Sequence, residues 1–158
     1  MVAHKYSKNN LKEENTARAV GRSLQISTKQ AIEICNFIRN KPVQTAKNML
    51  NRVLAKEMAV PFKRFTAAGH KRGHMASGKY PEKCTTAILQ LLDSVESNAQ
   101  YKGLNAENLV ISHLCVHKGA NQWHYGRLRR RKVKVTHVEI IVQEAEKKQE
   151  KPKKQGVK

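Results

Sequence analysis

The chain predicts an α+β fold: a three-stranded antiparallel sheet covered by three helices, with a long protruding basic β-hairpin. Three observations predict it. Apolar residues recur at helical spacing in three stretches, three other runs suit strands, and the last two of those runs flank a cationic segment without a single acid. At 158 residues there is room for one domain with a modest core. We assign that domain to residues 16–144, between a polar extension over 1–15 and a charged tail over 145–158.

The first strand falls in "ARAVGRSLQIS", Ala17 to Ser27, where Val20, Leu24 and Ile26 alternate and Gly21 marks a bulge or a close approach. Ser27 and Gln30 have capping-box spacing, and Ala31, Ile34, Cys35 and Ile38 follow at i, i+3, i+4, i+7. This helix should stop near Asn40, because Pro42 disfavours helical geometry in Lys41 and suits the first turn of the next helix. The second helix presents Val43, Ala46, Met49, Leu50, Val53 and Leu54. Periodicity then fails over residues 59–81, which read as a long basic loop of the kind that usually carries function. The third and longest helix presents Ile88, Leu91, Leu92, Val95 and Ala99 and ends at Gly103.

Two β-rich runs, Glu107 to Lys118 and Lys132 to Glu144, form an extended hairpin over residues 107–142. Val133 and Val135 share one parity while Val138, Ile140 and Val142 share the other, so a bulge or strong twist is expected near Thr136. The tail "QEAEKKQEKPKKQGVK" has almost no large apolar residue and is expected to be disordered.

Charge narrows the function. Lys and Arg number 31 against 12 Asp and Glu, a formal net charge of +19. Self-repulsion of that size favours a polyanionic partner, nucleic acid before an anionic membrane. No carboxylate lies between Glu57 and Glu82, where Lys63, Arg64, Lys71, Arg72 and Lys79 stand. None lies between Glu107 and Glu139, where Lys118, Arg127, Arg129, Arg130, Arg131, Lys132 and Lys134 stand. A solvated face interleaves both signs, so these segments point to phosphate contacts. No run approaches the ~18 apolar residues of a membrane span, and the start has no signal-peptide core.

Trp123, His124 and Tyr125 lie near the hairpin tip, where rings can stack on unpaired bases of folded RNA; the other reading is a tryptophan that merely closes a hairpin. Other chemistry is poorly supported. "GHMASGKY", Gly73 to Tyr80, misses a phosphate-binding P-loop because Tyr80 replaces the Ser or Thr and no strand precedes it. His70, His74 and Cys84, or His113, Cys115 and His117, supply too few zinc ligands at a recognised spacing. Asp93 and Glu96 read as a solvated helix face or as partners for a nearby Lys rather than as an acid/base pair. The three cysteines, Cys35, Cys84 and Cys115, read as buried reduced thiols. No cofactor, no metal, no enzymatic activity and no homo-oligomer is expected.

The order of elements, with "VPFKR", "GKYPEK", "ESNAQYKGLNAENLVISHLCVHKG" and "THVEIIVQE", resembles the universal large-ribosomal-subunit protein family called L-twenty-two in bacteria and L-seventeen in eukaryotes, in its archaeal or eukaryotic form. The resemblance covers roughly Ala17 to Glu144. It implies a small body at the outer surface of the subunit and a hairpin that runs through rRNA toward the peptide exit tunnel. It also implies rRNA contacts for Arg18, Arg22, Lys63, Arg64, Lys71, Arg72 and Lys79 from the body, with Arg127 matching the family's hairpin Arg. Gln122, Trp123, His124 and Tyr125 would then stand at the tunnel tip, near nascent peptide, although only Gly126 and Arg127 keep the family's tip pattern. Neighbouring ribosomal proteins are implied partners, with a cytoplasmic location and nucleolar assembly if the source is eukaryotic. The alternative is a non-ribosomal RNA-binding or RNA-processing factor.

Overall fold

The computed structural model describes residues 5–8, 15–66, 69 and 75–145. In chain order come β1 (Thr16–Leu24), α1 (Thr28–Ile38), α2 (Val43–Leu54), β2 (Val60–Pro61), β3 (Gly78–Lys79) and α3 (Glu82–Tyr101). They are followed by β4 (Leu109–Lys118), β5 (Gln122–Trp123), β6 (Lys132–Val133) and β7 (Thr136–Glu144). The main sheet has the order β1-β7-β4 and is antiparallel throughout. β7 takes the centre because it alone has fully buried apolar residues on both faces: Val138, Ile140 and Val142 join the core beneath the helices, while Ile141 is buried on the opposite face. α3 lies over β1, α1 over β4, and α2 packs against α3.

The expected parity of β1 is corrected. Ala17, Ala19 and Gly21 are buried, whereas Val20 and Leu24 are half-buried. The cause is the close approach of α3: a Cβ built on Gly21 would stand 2.9 Å from Leu91 Cδ1, so this part of the strand must be small. The register irregularity falls just beyond, between Gly21 and Leu24.

The helices stop and start near the expected residues. Ser27 is the N-cap of α1, but its side chain makes no capping hydrogen bond, so the capping box is not formed. The helix start is instead tied to the sheet by Thr28 Oγ1 and Thr136 Oγ1, 2.8 Å apart. At the end of α3, Gly103 adopts φ +76°, a left-handed conformation that suits glycine, and the Leu104 amide donates to Ala99 O at 3.0 Å.

The described part of residues 59–81 is less irregular than its sequence suggests. Val60 pairs with Lys79 and Pro61 with Gly78, and buried Val60 and Phe62 join the main core. Two apolar anchors thus organise a segment too short of alternation to read as strands.

The irregularity expected near Thr136 sits on the opposite strand. Pairing runs to Lys118↔Thr136 and resumes at Gln122↔Val133, so residues 119–121 face only 134–135. One extra residue on one side of a ladder is a bulge. Gly119 permits it, since a Cβ there would lie 2.7 Å from Val135 Cγ1 and 3.2 Å from the Val135 carbonyl carbon. Beyond it, the β5–β6 ladder has two pairs and closes through a 3₁₀ turn at Gly126–Leu128. The expected disorder of the tail concerns residues that, from 146 onward, lie outside the described ones, as does most of 1–15.

Candidate nucleic-acid interface

The basic loop is held from below by an acid. Glu33 sits on the buried side of α1 at 1 % exposure, and its carboxylate accepts the amides of Lys63, Arg64 and Phe65 at 3.2, 2.8 and 2.8 Å. Three amide donors converging on one carboxylate satisfy a charge that burial would otherwise penalise. They also fix the backbone at the loop's start, leaving the Lys63 and Arg64 side chains exposed. Lys79 is exposed on β3. Lys71 and Arg72 lie outside the described residues.

The arm carries the other cationic set. Lys118, Arg127, Arg129, Arg130, Arg131, Lys132 and Lys134 are all exposed. Gln122 and Trp123 stand on β5, before the turn, rather than at the turn itself. Trp123 is 62 % exposed and Tyr125 94 %, with His124 half-buried. Lys132 Nζ stands 4.2 Å from the centroid of the Trp123 ring, a cation–π contact across the ladder. Lys83, at the start of α3, lines one hollow with Lys132 and Lys134. Sequence reading missed Lys83 because it lies one residue beyond Glu82, where the acid-free segment ends.

On the face of the sheet away from the helices, residues 5–8 cross the strands. The Ser7 amide and Oγ donate to Glu139 Oε2 at 3.0 and 2.7 Å, and Ser7 Oγ lies 2.9 Å from His113 Nε2. His117 Nε2 is 3.5 Å from Glu139 Oε1. Burial holds the His113 pKa below the usual histidine value, and the Glu139 carboxylate offsets only part of that. Arg18 is half-buried here, its guanidinium 5.5 Å from the Tyr6 ring centroid, so it takes part in the fold's own contacts; Arg22 is exposed. The sequence signal for Glu139 was an acid inside the apolar run "THVEIIVQE", which calls for a local partner.

The rival chemistries find little support. Asp93 and Glu96 both pair with Lys47 of α2. Burial alone would lower the Lys47 pKa, but these two carboxylates outweigh it and raise it. Gly78 and Lys79 of "GHMASGKY" belong to β3, and the Gly78 amide donates to Gly69 O at 3.0 Å, so these two residues serve a strand ladder rather than a phosphate cradle. Among the described residues no group of three His, Cys, Asp or Glu could hold a metal, while His70 and His74 lie outside them. Burial pushes the Cys84 thiol up to about 12 and Cys35 higher still. No helix among the described residues is long and apolar enough to cross a membrane.

A sheet with helices on one face, a pinned cationic loop and an acid-free cationic arm define a class: a small α+β protein shaped to lie against a polyanion. Residues 19–143 match the family described as ribosomal protein L22p/L17e, and the chain belongs to that family. Three archaeal relatives carry the name large ribosomal subunit protein uL22. The one from Methanopyrus kandleri is 40% identical over 143 residues, covering 85% of this chain and 90% of its own. That from Nanoarchaeum equitans is 43% identical over 141 residues, covering 83% and 80%. That from Methanococcus vannielii is 40% identical over 137 residues, covering 82% and 90%.

Proposed function

We propose that the chain is a structural constituent of the large ribosomal subunit that binds rRNA through its loop and its arm. Family membership across residues 19–143 carries this reading. The mechanism is electrostatic and steric. Lys63, Arg64, Lys79 and the exposed arm cations neutralise phosphates of separate rRNA segments and hold them together. The arm extends toward the exit tunnel, with Tyr125 and the turn at Gly126–Leu128 nearest the passage of nascent peptide. Neighbouring ribosomal proteins complete the surroundings, and assembly begins in the nucleolus if the cell has one. The role is non-enzymatic, in keeping with Asp93 and Glu96 being held by Lys47.

Sedimentation tests it. The chain should stay with large subunits through a high-salt wash. Release to the top of the gradient would favour a loosely bound RNA-processing factor instead.

A further inference from the structure

A hollow of about 650 Å³ lies at the root of the arm, between the irregular end of β1 and the β5–β6 ladder. Its walls include Ser23, Gln25, Trp123, Val133, Val135 and His137. The volume falls within the range of small-ligand pockets, about 300–1,000 Å³. We infer that this hollow is a pocket for a single unpaired nucleobase, inserted from RNA whose phosphates lie along the arm. The inference rests on the RNA-binding reading and adds to it a base-specific site.

The chemistry of the walls chooses the occupant. No Lys, Arg, Asp or Glu lines the hollow, although the arm around it is densely cationic. A phosphate would therefore stop at the rim, while an uncharged planar heterocycle could enter. Trp123 supplies the stacking surface: Lys132 takes one face of the indole at 4.2 Å, and Lys132 is absent from the walls, which leaves the other face for a base. Val133 and Val135 give an apolar side.

The polar groups can read an edge. Ser23 has φ +54°, and this conformation aims its amide at His137 Nδ1, 3.0 Å away. With Nδ1 accepting, the neutral imidazole carries its hydrogen on Nε2 and is a fixed donor. The Gln25 carboxamide offers both a donor and an acceptor, the pair that base edges complement. Both residues belong to walls that the arm alone does not supply.

Trp123 is the chain's only tryptophan, so its fluorescence reports on this site alone. The full-length chain is titrated with a short end-labelled RNA oligonucleotide and with a fully abasic oligomer of equal length. Both should raise the anisotropy of their labels through phosphate contacts, but only the base-containing one should quench Trp123. Gln25→Ala and Trp123→Ala, both at exposed positions, should weaken the base-containing oligomer on the order of 10-fold and leave the abasic one unchanged. Binding of both oligomers with equal quenching, or with none, overturns the pocket and leaves RNA binding standing. Failure of both oligomers to bind overturns the RNA-binding reading as well.

Discussion

The basic loop and the basic arm have the same composition rule, bases without acids, and opposite support. The start of the loop is anchored by buried Val60 and Phe62 and by three amides on Glu33. The arm beyond Gly119 has a two-pair ladder, one cation–π contact and no fully buried side chain from Ala120 to Lys134. A two-stranded ribbon of that length is marginally stable in water by itself. The contrast teaches that the body fixes the backbone at Lys63 and Arg64, while like-charge repulsion along the arm meets no such anchor.

Changing Arg127, Arg129, Arg130, Arg131, Lys132 and Lys134 together to Gln should give the largest effect. Six phosphate contacts at roughly 0.9 each would remove about 5 from the salt slope of RNA binding, on the order of a thousandfold in affinity between about 50 and 200 mM salt. The urea midpoint should hardly move, and a large fall in stability would break the comparison by showing the arm to be part of the folded body.

Glu33→Ala should act in the reverse sense. It strands three amides and should cost about 3 kcal/mol in urea unfolding, with Glu33→Gln costing about half because one acceptor oxygen remains. An unchanged midpoint would mean that the loop is not held by Glu33. Lys47→Met, remote from both regions, provides the scale: losing a half-buried tie between α2 and α3 should cost about 1 kcal/mol by the same measurement.

The smallest effect is expected from pH. His113 has a folded pKa below its ordinary 6.5, so the unfolded chain binds its proton more readily. Stability from this group is complete above that ordinary value and is lost as pH falls through the folded one. Urea midpoints measured near neutrality and about two pH units lower should differ, and His113→Gln should narrow the difference. A gap of unchanged size would place the acid sensitivity elsewhere.

Much of the fold was legible in the chain. Helix spacing in Ala31, Ile34, Cys35 and Ile38 is enforced by one helix's own geometry, and all four are buried. Gly103 ended α3 for an equally local reason. The parity of β1 was not legible, because Val20 looks inward only until the approach of Leu91 is known. Glu33 was missed for a similar reason: its partners are some thirty residues away, and an acid beside Ile34 reads as solvated until they arrive.

The sequence by itself determined the positions of the three helices, the cationic balance and the two segments without acid, since these follow from spacing and composition along the chain. Only the tertiary structure decided which acid anchors the loop, where the arm's bulge lies and that Trp123 shares a hollow with Ser23, Gln25 and His137. The reason is physical. Periodicity and charge act between near neighbours, whereas a carboxylate finds distant amides and a hollow acquires walls only when folding brings remote segments into van der Waals contact.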